Sequence, residues 1–112
     1  HVLPAGALPP NPSELLGSAR MKQVMETVGE RYELVLFDSP PLLAAGDAAV
    51  LGARADGVVL VVRAGETDQG AAREAVRQLE LVRARVLGAV LNDPDSVVGR
   101  YGGYYAHAYY GD

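Results

Sequence analysis

The 112 residues suffice for one small domain, and their composition, 49% hydrophobic and 21% charged, is that of an ordinary globular protein. The net charge of −4 gives no basic field for nucleic acid, and the lack of cysteine excludes disulfides and thiolate metal sites. The longest apolar run, Val58 to Val62, is far too short to cross a membrane. Since the sequence begins at His1 without a methionine or a signal-peptide pattern, we expect a piece of a longer polypeptide.

The first third of the chain predicts two helices separated by a break. Residues 1–3 look like the end of a strand, and residues 4–10 form a loop rich in proline and glycine. Asn11 is a suitable N-cap residue for a helix whose apolar stripe does not continue past its second turn. We therefore predict a short helix and then a second helix, which is capped by Ser18 and runs to about Glu30.

A strand and a sharp stop are predicted next. The strand is predicted over Glu33 to Phe37, because the apolar run from Leu34 to Phe37 is typical of a strand buried on both faces in a parallel sheet. It ends at Asp38, and two prolines at residues 40–41 cannot extend a sheet ladder. An acidic residue at the carboxyl end of such a strand matches a Walker B aspartate, which organises magnesium. A plain strand-end turn explains the same pattern.

Two more helices are predicted in the second half of the chain. Asp47 is suited to cap a short helix over residues 48–55, and Thr67 is suited to cap a longer helix over residues 68–83. In the longer helix the apolar side chains recur at helical spacing and are expected to face inward: Ala72, Ala75, Val76, Leu79 and Val82.

Two further strands, over residues 58–62 and 86–91, end at Arg63 and Asn92. Strands that alternate with helices pair in parallel through right-handed crossovers. The polar loops after the three predicted strands begin at Asp38, at Arg63 and at Asn92. These loops should therefore meet at one edge of the sheet, where such folds bind ligands. The predicted fold class is α/β, a parallel sheet with flanking helices. Residues 1–94 form this unit, and residues 95–112 are a flexible tail rich in glycine and tyrosine.

Four segments give the chain a resemblance to a known family: "LPAGALPPNPSELLGSARM", "LVLFDSPPLLAAGDAAVL", "DGVVLVVRAGET" and "VLGAVLN". Their order and spacing resemble those of bacterial tyrosine kinases, the autokinases that control polymerisation and export of capsular polysaccharides and exopolysaccharides. The resemblance implies a P-loop NTPase fold of the partitioning-ATPase type, with ATP and Mg²⁺ as cofactors. The paired prolines and the terminal tyrosines are the most specific features.

The resemblance also implies roles for individual residues. Asp38 resembles the Walker B aspartate, with a catalytic role through the metal ion, and Ser39 stands where the family usually has threonine. Asn92 matches a position that recognises the adenine base in related ATPases, and turn chemistry explains an asparagine at this place as well. Arg63 either faces the nucleotide or extends from the strand end into solvent. The implied autophosphorylation cluster consists of Tyr101, Tyr104, Tyr105, Tyr109 and Tyr110.

One departure from the family pattern is large. The 112 residues contain no lysine-bearing glycine loop, and the single lysine, Lys22, falls on a predicted helix. The sequence therefore resembles the C-terminal half of the kinase domain, incomplete at its N-terminus, and we expect it to be inactive alone. Two other functions stay open: a partitioning-type ATPase, and a non-catalytic module that completes a nucleotide site on another chain.

The resemblance further implies partners and a location. The expected partners are a membrane-embedded polysaccharide co-polymerase or activator segment, neighbouring kinase subunits in a homo-oligomer, and a tyrosine phosphatase, with no nucleic acid. The expected location is the cytoplasmic face of the bacterial plasma membrane.

Overall fold

A computed structural model describes residues 1–7 and 9–93 of the chain. The predicted tail over residues 95–112 lies outside these described residues. Six elements follow one another: α1 (Pro12–Gly17), α2 (Ala19–Arg31), α3 (Asp47–Gly52), β1 (Val58–Arg63), α4 (Gln69–Leu81) and β2 (Val86–Asn92).

The two described strands form a parallel pair, which confirms the predicted α/β class. β1 and β2 are hydrogen-bonded neighbours, and their register runs from Val58 beside Val86 to Arg63 beside Asn92. Helix α4 makes the connection between them, as parallel pairing requires. Because both strands run in the same direction, their carboxyl ends lie side by side.

The small core lies where α3, α4 and β1 meet. Leu79 of α4 is only 1% exposed, and Leu51 and Ala75 are also buried. Gly52 lies at the centre of this contact, since a Cβ atom built on it would be 3.2 Å from Val58 Cγ2 and 3.3 Å from Leu79 Cδ2. The absence of a side chain at this position lets the three elements approach closely.

The predicted break between the first two helices is confirmed. Ser18 ends α1 and is the N-cap residue of α2, where its Oγ accepts the backbone N–H of Met21 at 3.1 Å. The same hydroxyl donates to the carbonyl oxygen of Leu15 at 2.6 Å. One serine therefore satisfies backbone groups of both helices, which stabilises the change of direction.

Two predicted helix caps are wrong by one residue. Gly46 is the N-cap residue of α3, and Asp47 is the first helical residue. Asp68, rather than Thr67, caps α4, because its carboxylate accepts a backbone N–H of the first turn at 2.8 Å. The hydroxyl of Thr67 accepts the backbone N–H of Arg63 instead.

Both of these helices also end before their predicted C-termini. Helix α3 ends at Gly52 rather than at residue 55, and α4 ends at Leu81. Arg83 has a φ of 57°, a left-handed conformation in which an α-helix cannot continue. Val82 follows the end of α4 and is partly exposed, so its predicted inward position is wrong.

The predicted strand over Glu33 to Phe37 is also wrong for the described chain. No strand is assigned to these residues, and Leu34 and Leu36 are 74% and 83% exposed. A strand needs a hydrogen-bonded neighbour, and the described sheet contains β1 and β2 alone. The strand end predicted at residues 1–3 is wrong for the same reason.

Candidate functional site at the sheet edge

The carboxyl ends of β1 and β2 bring two of the predicted site residues together. Arg63 is the register partner of Asn92, and the N–H of Ala64 donates to the carbonyl oxygen of Asn92 at 2.8 Å. This confirms the predicted meeting of these two strand ends at one edge of the sheet.

A tight turn follows β1 and is closed on Arg63. The N–H of Arg63 donates to Thr67 Oγ1 at 3.0 Å, and the carbonyl oxygen of Arg63 accepts the N–H of Thr67 at 2.9 Å. Gly65 has a φ of 75°, which glycine adopts without steric cost. The turn over residues 63–67 is therefore fixed at both of its ends.

The guanidinium of Arg63 contacts two carboxylates. Nη1 lies 3.1 Å from Oε2 of Glu66, and both Nε and Nη2 lie 3.4 Å from Oδ2 of Asp93. The side chain thus joins the turn after β1 to the residue after β2. We call Arg63, Glu66 and Asp93 the arginine bridge. All three side chains are partly exposed to solvent.

Sequence reasoning missed both partners of Arg63. Glu66 follows Arg63 by three residues within a turn, a spacing that pairs opposite charges in helices but predicts little in loops. Asp93 is distant in sequence and comes into reach because β1 and β2 pair in this register. Its own φ of 56° places it in the left-handed region, which aspartate tolerates better than most residues.

Asp38 forms no hydrogen bond or ion pair with this bridge. It follows the unpaired segment over residues 33–37, is exposed to solvent, and forms no hydrogen bond or ion pair with the described part of the chain. Magnesium in phosphoryl-transfer sites is held by one or two carboxylates together with phosphate oxygens and water. A single exposed carboxylate without a competing cation fits that donor set. Within residues 1–7 and 9–93 there is no cluster of three or more histidine or acidic side chains.

A clamp between α1 and α3 holds the far end of the loop that follows Asp38. The hydroxyl of Ser13 on α1 donates to the carboxylate of Asp47, the first residue of α3. The guanidinium of Arg54 contacts the three carbonyl oxygens of residues 16–18, two of them at 3.0 Å. These contacts attach both ends of α1 to the α3 region, and sequence reasoning did not predict them.

The five tyrosines of the predicted phosphoacceptor cluster lie outside the described residues. Within the described chain no helix is both long enough and apolar enough to span a bilayer.

The fold resembles solved kinase domains. The VpsO kinase domain superposes with a TM-score of 0.76 at 36% identity, covering 80% of this chain and 44% of the other. The kinase domain of Escherichia coli tyrosine kinase ETK superposes with a TM-score of 0.75 at 41% identity, covering 78% of this chain and 34% of the other.

A curated relative points to the same group. Tyrosine-protein kinase YwqD of Bacillus subtilis is 44% identical over 91 residues, which is 81% of this chain and 38% of that protein. The chain thus spans less than half the length of the curated relatives that it matches. No protein-family model matches it.

These comparisons establish the fold class of the chain: the parallel sheet with its helices is part of a P-loop NTPase fold. The resemblance to the bacterial tyrosine kinases is confirmed, since the sequence and the fold both match kinase domains of that family.

Proposed function

We propose that this sequence is the C-terminal half of the kinase domain of an ATP-dependent protein-tyrosine autokinase. The observation that carries the proposal is the likeness to two tyrosine kinase domains, at 36% and 41% identity over about four fifths of the chain. The sheet edge then provides one side of the nucleotide site. The phosphate-binding side has no counterpart among these 112 residues.

Asp38 is the residue that we propose as the metal-organising carboxylate. When bound, Mg²⁺ would neutralise the negative charge that develops on the transferred phosphoryl group. The free and solvated carboxylate supports this role, because it can reach a cation without first breaking an ion pair. The prolines at residues 40–41 restrict the backbone that follows Asp38, including that of Ser39.

Asn92 is the residue that we propose for recognition of the adenine base. An amide side chain presents a donor and an acceptor together, which matches the edge of adenine. The hydrogen bond from Ala64 to the carbonyl oxygen of Asn92 supports the role, because it fixes the backbone from which this side chain extends.

We further propose that the phosphoacceptors are the tyrosines of the C-terminal cluster, Tyr101, Tyr104, Tyr105, Tyr109 and Tyr110. Each added phosphate brings about −1.5 to −2 charges at neutral pH to a chain that already carries −4. Several phosphates should therefore loosen contacts between neighbouring subunits. The proposed setting is regulation of polysaccharide polymerisation at the cytoplasmic membrane face, with a co-polymerase or activator segment and a phosphatase as partners.

The test uses a joined kinase, in which this sequence is fused behind the part of the E. coli ETK kinase domain that it does not align with. We mix it with a longer, distinguishable copy that carries Asp38→Asn but keeps all its tyrosines. Phosphotyrosine on the longer copy supports autophosphorylation between subunits. A joined kinase that hydrolyses ATP without forming phosphotyrosine would favour the partitioning-ATPase alternative.

A further inference from the structure

We propose that Arg63 is a positioning residue that fixes the Asn92–Asp93 turn and does not itself bind the nucleotide. Two carboxylates already contact its guanidinium. Glu66 and Asp93 both lie within 3.4 Å of it, and together they cover the outer nitrogens and Nε. A triphosphate would have to displace these two carboxylates before it could reach the guanidinium.

The charge of the arginine bridge points the same way. One guanidinium and two carboxylates sum to −1, so the bridge as a whole repels a phosphate chain rather than attracting it. An arginine that serves as a phosphate ligand usually keeps its donor fork directed at the anion. Here Nε and Nη2 both point at a single oxygen of Asp93, so that donor fork is already in use.

The arginine bridge can instead stabilise the Asn92–Asp93 turn. Asp93 has a left-handed backbone, and Asn92 precedes it at the end of an exposed strand. The ladder fixes the backbone of Asn92 on one side, and the ion pair of Arg63 with Asp93 restrains the next residue. Two consecutive restraints limit the movement of the backbone from which the side-chain amide of Asn92 extends, and base recognition needs an amide that is held in place.

The first test needs only the 112-residue chain and measures amide hydrogen exchange. Even-numbered residues of β1 point their N–H groups toward β2, so Ala64 reports the turn and Leu60 reports the middle of the ladder. In Arg63→Ala we expect protection of the Ala64 amide to fall about tenfold while that of Leu60 stays the same. Unchanged protection at Ala64 would overturn the proposal. Loss at both amides, or equal and fast exchange in the unmodified chain, would also contradict it.

The second test concerns the nucleotide and rests on the proposed function. In the joined kinase, Arg63→Ala should raise the KM for Mg-ATP at least about fivefold with kcat unchanged. The substitution weakens the contact of Asn92 with the adenine base, and this contact is equal in the ground and transition states. Affinity for inorganic triphosphate with Mg²⁺, a probe without a base, should not change when Arg63→Ala is combined with Glu66→Gln, a pair of substitutions that keeps the bridge at −1. Reduced affinity for triphosphate would show that Arg63 contacts phosphate and would overturn the proposal.

A double-mutant cycle separates positioning from general stability. Asp93→Asn keeps a residue that tolerates the left-handed backbone but removes the charge that holds Arg63. If Arg63 acts through Asp93, the double variant should be no worse in KM than Arg63→Ala alone. Additive effects would contradict the mechanism. Glu66→Gln is the matched control and should have the smaller effect, since it leaves the contact with Asp93 in place.

If the joined kinase forms no phosphotyrosine, the proposed function fails, but the hydrogen-exchange result still decides the role of Arg63. Conversely, an active joined kinase with unchanged Ala64 exchange in Arg63→Ala would reject the positioning role alone. The two failures are thus distinguishable.

Discussion

Arg54 adds to the C-terminal capping of α1, whose own cap residue is Ser18. Helix α1 has six residues and ends without a left-handed glycine. Ser18 satisfies the carbonyl oxygen of Leu15, which leaves the carbonyl groups after it to other donors. The planar guanidinium of Arg54 supplies several donors at once and contacts three successive carbonyl oxygens. A positive charge at a helix C-terminus is also favoured by the helix dipole.

We therefore expect Arg54→Ala to lower the free energy of unfolding by about 1–2 kcal/mol, the scale of hydrogen bonds to a charged group at the surface. Urea denaturation of the chain measures it. Arg73→Ala is the matched control, because Arg73 lies exposed on α4 without a hydrogen bond or ion pair in the described chain. It should change stability by less than about 0.5 kcal/mol. Equal effects of the two substitutions would contradict the capping role.

Contacts of individual residues also explain why the arginine bridge and the clamp were not predicted. Asp38, Arg63 and Asn92 were found from the sequence because each directly follows an apolar run. The partners Glu66 and Asp93 depend on the register of β1 with β2, and the partners of Arg54 lie 36 to 38 residues away. Local sequence patterns do not predict contacts between residues that are so far apart in the chain.

Among the secondary-structure elements, the contact of α3 with α4 depends on a glycine. A Cβ atom at Gly52 would lie 3.2 and 3.3 Å from the side chains of Val58 and Leu79, closer than ordinary van der Waals contact. Leu79 is fully buried and has little room to move.

Gly52→Ala should therefore destabilise the chain by about 1–2 kcal/mol through overpacking, in spite of the better helix propensity of alanine. Gly29→Ala provides the contrast. Gly29 lies inside α2 with open space around its Cα, so the same substitution should stabilise by about 0.5–1 kcal/mol. Thermal unfolding of both variants measures the pair. Stabilisation by both would show that α3 and α4 do not pack as closely as described.

The elements that could be predicted are those whose partners lie within the chain. The break at Ser18, the helix α4 and the strands β1 and β2 follow from local caps, from periodicity and from each other. The segment over residues 33–37 has an equally strong strand pattern but no neighbour in the described sheet. Its conformation depends on pairing rather than on its own residues, so the pattern alone predicted it wrongly.

At the scale of the whole molecule, one face of the described sheet is largely exposed. Val59, Val61 and Val90 project from this outer face and are each about half exposed or more. An exposed apolar surface of adjacent strands usually marks an interaction or aggregation surface. In the joined kinase we expect the remainder of the domain to cover it.

Val61→Lys should therefore act in opposite directions in the two proteins. In the 112-residue chain it should reduce self-association, as measured by sedimentation, because it places a charge on the exposed face. In the joined kinase it should destabilise by about 3 kcal/mol, because the charge becomes buried without a partner. Leu81→Lys, at the exposed end of α4, is the control and should be tolerated in both. A joined kinase that tolerates Val61→Lys would show that the outer face stays open.

The molecule as described also lacks most of the groups that a triphosphate requires. The 112 residues hold no glycine loop with a lysine, and the net charge is −4. We expect titration calorimetry of the chain with Mg-ATP to detect no binding, whereas the joined kinase should bind. Micromolar binding by the chain alone would contradict the division of the site between two halves.

The central claim, that Asp38 organises the metal ion for phosphoryl transfer, is tested most directly by one substitution. Phosphate incorporation into tyrosine is measured for the joined kinase, for Asp38→Asn and for the control Asp56→Asn, another exposed aspartate, which lies in the turn after α3. Asparagine keeps the size of the side chain but loses the charge that a magnesium ion needs. We predict a fall of about 100-fold or more for Asp38→Asn with an unchanged circular dichroism spectrum, and no change for Asp56→Asn. Phosphate transfer at nearly the unmodified rate by a folded Asp38→Asn kinase would contradict the account.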